Sequence, residues 1–249
     1  VTNYDIRRLL RRARGTVILL PGIQETAGGK NAYLKALRAL LRAIGVTARA
    51  SATEEELNLL ASRALGLATV AERAVNTILR LEAQRHTKTF MAGAKRALGI
   101  DLSAVVRDED LTDYLRLASA RNALLIKSLS EDAVKRVQQT VLDGLIAGTS
   151  RADVQKTLTE QFGIADNRAK LIAQDQMAKL SSDLTRVRHE QAGITEYDWY
   201  TSRDERVRPR HRALQGKRYR YGEPTGAEGG VGPGQAVRCR CFARGVVEF

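Results

Sequence analysis

The chain has 249 residues, 43% of them hydrophobic, and a formal net charge of +13, which is enough length for one large or two modest domains around a buried core. No run of about 18 apolar residues occurs, so a bilayer-spanning helix is excluded. Charge is uneven: residues 1–50 carry 10 Lys/Arg against 2 acids, residues 51–200 carry 20 against 21, and residues 201–249 carry 11 against 5, so two basic ends flank a neutral middle and point to anionic partners, nucleic acid or an acidic protein surface.

The opening VTNYDIRRLLRRARG lacks the apolar stretch of a secretory leader. The two cysteines, Cys239 and Cys241, stand one residue apart and cannot close a disulfide framework. Together these predict folding in a reducing, intracellular setting. LLPGIQETAGG places Pro21 and Gly22 among turn formers, and the first 30 residues are expected to be an arm that gains order by docking. Residues 31–44 put Tyr33, Leu37, Leu40, Leu41 and Ile44 on one face of a helix, with Gly45 as its natural stop.

Thr53 and Glu56 form a capping box, followed by Leu57, Leu60, Ala64, Leu67, Ala71, Ala74, Ile78 and Leu81 at spacings of three and four. This a/d stripe predicts a helix to about Leu98, in the core of a bundle or in an intermolecular coiled coil. Further helical periods follow, with caps expected at Ser130 and Ser150 and helix ends at Gly148 and Gly163. In the last of them Ala169, Ile172, Gln176, Leu180, Leu184 and Val187 share a face that ends at Gly193. His86 and His189 stand beside Arg85 and Arg188 and read as surface residues.

Three of the four prolines and 8 of the 20 glycines lie beyond residue 200. ITEYDWYTS reads as a strand, GEPTGAEGGVGPG as a flexible loop, and QAVRCRCFARGVVEF as a terminal strand. In that strand Val237, Cys239, Cys241 and Ala243 point to one side and Arg238, Arg240, Phe242 and Arg244 to the other. The predicted fold is mainly α: an extended helical N-terminal region with a long helix or helical bundle, then a small α+β C-terminal domain. The expected parts are residues 1–50 (basic arm and first helix), 51–192 (helical body) and 193–249 (α+β).

His211, Cys239 and Cys241 are the one cluster of soft or borderline metal ligands, with Asp204 nearby in sequence. Two thiolates, an imidazole and a carboxylate suit tetrahedral Zn²⁺, which would staple a small domain short of core. The competing reading makes the cysteines small core hydrophobes. Arg206, Arg208, Arg210, Arg212, Arg238 and Arg240 would form a basic patch for DNA or an acidic partner. No P-loop, dinucleotide fingerprint, nucleophile elbow or HExxH helix is present, so the common NTPase, hydrolase and zinc-protease readings have no support.

WYTSRDERVRPRHRALQGK, then Pro and Gly turns, then CRC near the terminus, resembles the C-terminal signature of the phage head morphogenesis proteins, the Mu protein F-like minor head proteins. NALLIKSLSEDAVKRVQQTVLDGLIAGTSRADVQKTLTEQFGIADNRAKLIAQDQ is similar to that family's helical approach to the signature, and LLPGIQ before YLKALRALLR to its N-terminal region. Two departures stand out: Gln174, Asp175 and Gln176 replace a common RTE, and Gln215 occupies a position where a second histidine or acid often sits. The resemblance implies a non-enzymatic minor capsid protein of a tailed phage. It would be made in the host cytoplasm and reside in the capsid interior near the portal vertex. Its partners would be the portal protein, the major capsid or scaffold protein, and packaged DNA bound without sequence preference. Nuclease-like domains also accompany this family, so the alternative is an effector in which His211 moves a 2′-OH proton with Arg208, Arg212 and Arg240 as electrostatic partners.

Overall fold

Four long helices organise the chain: α1 (Ala27–Ala50), α2 (Glu54–Leu98), α3 (Thr112–Ile146) and α4 (Arg151–Gln191). The computed structural model describes residues 5–10, 14–50, 54–106 and 111–249. In α2 the buried line runs Leu57, Leu60, Ala64, Ala68, Ala71, Val75, Leu79, Ala83, His86 and Phe90. Leu57, Ala68, Leu79 and Phe90 recur every 11 residues, close to the pitch of a straight helix. A heptad stripe drifts from such a helix by about 20° per repeat. The predicted stripe therefore holds as far as Ala71 and then rotates off the core, leaving Leu81 58% exposed.

Several expected helix ends are absent. α1 continues through Gly45, where the Phe162 ring packs 3.3 Å from the position a Cβ would take. α3 continues through Ser130 and α4 through Gly163. Ser130 is buried, so its neighbourhood is fixed by packing, which overrides its preference for a cap. The cap at Ser150 is formed: the Asp153 N–H donates to Ser150 Oγ, which donates to the Asp153 carboxylate. Gly148 ends α3 with a φ of +60°, the left-handed conformation that glycine adopts without steric cost. The capping box at Thr53 lies outside the described residues.

The chain packs as two units, neither contiguous in sequence. One, the helical unit, comprises Ala27–Ile78 and Leu117–Gln174. Its core includes Tyr33, Leu37, Leu40, Leu41 and Ile44, the predicted face of α1, all buried. Tyr33 hydrogen-bonds the buried Asn122, and Arg38 forms a two-pronged pair with Asp166.

The other, the sheet unit, comprises Val1–Thr26, Leu79–Arg116 and Asp175–Phe249. It contains an antiparallel sheet of β1 (Val17–Leu19), β2 (Glu196–Thr201), β3 (Arg218–Arg220) and β4 (Cys241–Glu248), in the order β1-β4-β2-β3. The three-part division at residues 50 and 192 does not follow this packing, because β1 of the expected arm pairs with β4. The arm docks on its own chain: Ile6, Leu20 and Ile23 are buried with Phe90, Leu98, Leu102, Ile194 and Val247. A Cβ at Gly93 would stand 2.5 Å from Pro21, so glycine is what lets the arm lie against α2.

The terminal strand starts at Cys241, six residues into the stretch read as a strand. Arg238 has a φ of +57° and the Cys239 N–H donates to the Ala236 carbonyl, a turn that ends the alternation and leaves Val237 half-exposed. From Cys241 onward the expected faces hold. Thr201, Trp199 and Tyr197 of β2 stand opposite Cys241, Ala243 and Gly245 of β4, and directly opposed residues share a face of the sheet.

Candidate metal centre and arginine-rich loop

On that sheet face lies α5 (Pro209–Arg212), a single turn with Pro209 at its start, where its fixed φ suits helix entry. The turn aims His211 inward, and only 1% of the residue is exposed. His211 Nε2 donates to Glu228 Oε2 at 2.6 Å, while Nδ1 lies 3.5 Å from both the Cys239 and the Cys241 sulfur. The potential ligand atoms of the three residues all lie within 4.8 Å of one another. Trp199 meets the His211 ring edge-on at 5.4 Å.

The hydrogen bond from His211 holds the Glu228 carboxyl below the usual carboxylate range. The two thiols are pushed apart. A hydrogen bond from Cys241 and the Gly234 N–H favour thiolate at Cys239, whereas sharing that bond and burial raise Cys241. The Trp199 indole N–H is buried and has no hydrogen-bond partner. Asp204, expected as a fourth ligand, is outside this cluster: it pairs with Arg240 at 2.8 Å and accepts from the Arg206 N–H. Sequence reasoning missed Glu228 because it sits in the Gly-rich stretch read as a flexible loop. That stretch is instead stitched down. Ser182 Oγ donates to the Pro233 carbonyl, Gln235 donates to Ser182 and Asp183, and Thr225 Oγ1 donates to the Val231 carbonyl.

Of the six predicted patch arginines, four make contacts within the chain. Arg208 donates to the Val237 carbonyl, Arg210 to Gly226, Arg212 to Val207, and Arg240 pairs with Asp204. These bonds join residues 204–212 to residues 226–240, which brings the patch together on adjoining segments. Arg206 and Arg238 are exposed, and their side chains have no partner among the described residues.

The nuclease alternative requires an imidazole that reaches a polynucleotide. In this arrangement His211 is buried and both its ring nitrogens face protein groups. Gln215 holds β2 in place, its carbonyl oxygen accepting from the Thr201 N–H and hydroxyl, both at 2.9 Å. Asp175 pairs with Lys179 at 2.6 Å.

His86 and His189, expected at the surface, are buried. His86 Nε2 bonds Thr185 Oγ1 at 3.0 Å and His189 Nδ1 bonds the Tyr221 hydroxyl at 2.7 Å. Arg188, beside His189 in the chain, is fully buried and donates to Gln191 and Thr87. The missed signal is the period of 11, which places His86 on the buried line of α2.

Residues 135–244 match the family described as phage Mu protein F like protein. They form a Mu F-like region. It spans His211, Glu228, both cysteines and all six patch arginines. A Haemophilus influenzae protein described as uncharacterized is 30% identical over 242 residues, which cover 97% of this chain and 48% of that protein. The chain thus spans about half the length of the curated relative it matches. No solved structure matches the chain. Among the described residues no helix is long and apolar enough to cross a membrane.

Proposed function

We propose that this chain acts in head morphogenesis of a tailed bacteriophage, as a minor structural component of the virion. The observation that carries this reading is the Mu F-like match over residues 135–244. In this reading it assembles in the host cytoplasm and lies inside the capsid at the portal vertex. It contacts the portal protein, the major capsid or scaffold protein, and the packaged DNA. Two features of the surface support it. In the helical unit Leu65, Leu117, Leu124, Leu145 and Ile146 are 58–86% exposed, and exposed apolar side chains on long helices offer surface for protein contacts. In the sheet unit Arg206 and Arg238 leave their guanidinium groups free for phosphate or for an acidic protein surface.

Mass spectrometry of purified particles tests the location: the protein is expected in proheads or mature virions, and absence from both overturns the reading. The DNA contact has a separate test. Arg206→Gln with Arg238→Gln is expected to lower the slope of log affinity against log salt by about 2, roughly one for each phosphate no longer neutralised. An unchanged slope removes DNA from the partners and leaves the acidic protein surface as the patch's target.

A further inference from the structure

We propose that His211, Cys239 and Cys241 bind one Zn²⁺, with Glu228 as the outer carboxylate that orients the histidine. The distances carry the inference. A tetrahedral zinc with Zn–N of about 2.0–2.1 Å and Zn–S of about 2.3 Å sets each sulfur about 3.5–3.6 Å from the ligating nitrogen. His211 Nδ1 stands 3.5 Å from Cys239 Sγ and 3.5 Å from Cys241 Sγ. A thiol hydrogen bond to the ring accounts for one such distance, because the imidazole has a single lone pair. It does not account for two equal ones.

The surroundings are those of a ligand set. Glu228 accepts from Nε2, which fixes the tautomer with its proton on that nitrogen and turns the bare Nδ1 toward both sulfurs, the outer-shell arrangement of zinc-binding histidines. The Gly234 N–H is directed at the Cys239 sulfur at 3.4 Å, and such a donor suits a thiolate. Two thiolates and a neutral imidazole cancel the charge of Zn²⁺, so the complex is neutral where all three ligands are buried and a net charge would be costly. Thiolate with imidazole also selects zinc over the hard cations magnesium and calcium.

No fourth His, Cys, Asp or Glu converges on the cluster among the described residues, and the fourth position is left to water. The ligands come from α5, from the turn at Cys239 and from the start of β4, with Glu228 from the Gly-rich segment. The ion would thus join pieces of chain that have little regular structure of their own, the role of structural zinc in small units. This inference does not depend on the head-morphogenesis reading.

The test uses the full chain purified under reducing conditions without chelator. Elemental analysis is expected to find about one zinc per chain, lost in Cys239→Ser and Cys241→Ser. Because those variants can fail to fold, Glu228→Gln provides a second arm: its side chain is 45% exposed, and competition with a chromophoric chelator is expected to show zinc binding weakened by about 10- to 100-fold. Cobalt added to metal-free protein is expected to give the thiolate charge-transfer absorption of a two-sulfur tetrahedral site. The proposal is overturned by zinc far below one equivalent after reconstitution, by cobalt spectra without thiolate ligation, or by a Cys239–Cys241 disulfide in the reduced preparation. An unchanged affinity in Glu228→Gln overturns the role given to that residue.

Discussion

In the helical unit the described buried polar residues are Asn122 and Ser130, joined by the buried Asn76 Oδ1 and Arg121 Nε atoms, and the other buried side chains are alkyl or aromatic. Its charged pairs, such as Arg38 with Asp166, lie part-buried at the edge. The sheet unit buries His86, Arg188, His189, His211, Asp175 and Asp198 among its apolar side chains. The first kind of interior is specified by periodicity and volume. The second needs a partner for each buried polar atom, since an unpaired one costs about 1–3 kcal/mol. Two interiors in one chain should therefore fail under different conditions.

Acid separates them most. Burial holds the His86 and His189 side chains down to about 3, with the fixed charge of Arg188 adding to the effect at His86. Between pH 6.5 and that value the unfolded chain takes up protons that the folded chain refuses, so stability falls as pH falls. The loss is about 3 kcal/mol per histidine from pH 6.5 to 4. Other charges near these rings are Arg85, bonded to Glu82, while Thr185 and Tyr221 supply neutral hydroxyls. In the helical unit the Arg38 pair depresses Asp166 to about 2. That contribution is present above the ordinary carboxylate value and is lost only as pH falls from 3.8 toward 2. Amide exchange is expected to accelerate in residues 79–98 and 185–192 near pH 5, with residues 27–48 still protected. Simultaneous loss of protection in both sets would erase the distinction.

Legibility in the sequence divides along the same line. The face of α1 and the length of α2 are readable because alkyl periodicity determines both. The heptad reading fails past Ala71 because a period of 3.5 and one of 3.67 nearly coincide over about four turns and diverge over more than six. Gly45, Ser130 and Gly163 look like helix ends when judged locally, but long-range packing carries the helices through them. In the sheet unit the grouping of His211 with both cysteines is legible from residue type. The place of Glu228 is not, since it depends on a loop folding back over 17 residues to reach His211. The burial of His86 and His189 is hidden by adjacent arginines, one of which is itself buried.

A smaller effect probes the polar interior directly. A Cβ at Gly245 would stand 2.8 Å from the His189 ring, and that ring is held by its bond to Tyr221 and by Phe90 at 5.8 Å. Gly245→Ala is expected to destabilise the sheet unit by about 1–3 kcal/mol, the usual cost of overpacking. Chemical denaturation followed through Trp199, the chain's one tryptophan, measures it. A change below about 0.5 kcal/mol would mean that the ring has room to move and that its burial is looser than the distances imply.

The counterpart in the helical unit has the opposite sign and the smallest size. Gly66 is exposed within α2, and nothing lies within 4 Å of the position its Cβ would occupy. Alanine there loses less backbone entropy on folding and meets no neighbour, so Gly66→Ala is expected to stabilise by about 0.5–1 kcal/mol. Thermal melting followed by helical circular dichroism reads the gain as a raised midpoint. The substitution tests whether the outer side of α2 is open. A lowered midpoint would reveal that another surface approaches Gly66 closely, and the alkyl-packed unit would then also depend on a specific close contact, as Gly245 does against His189.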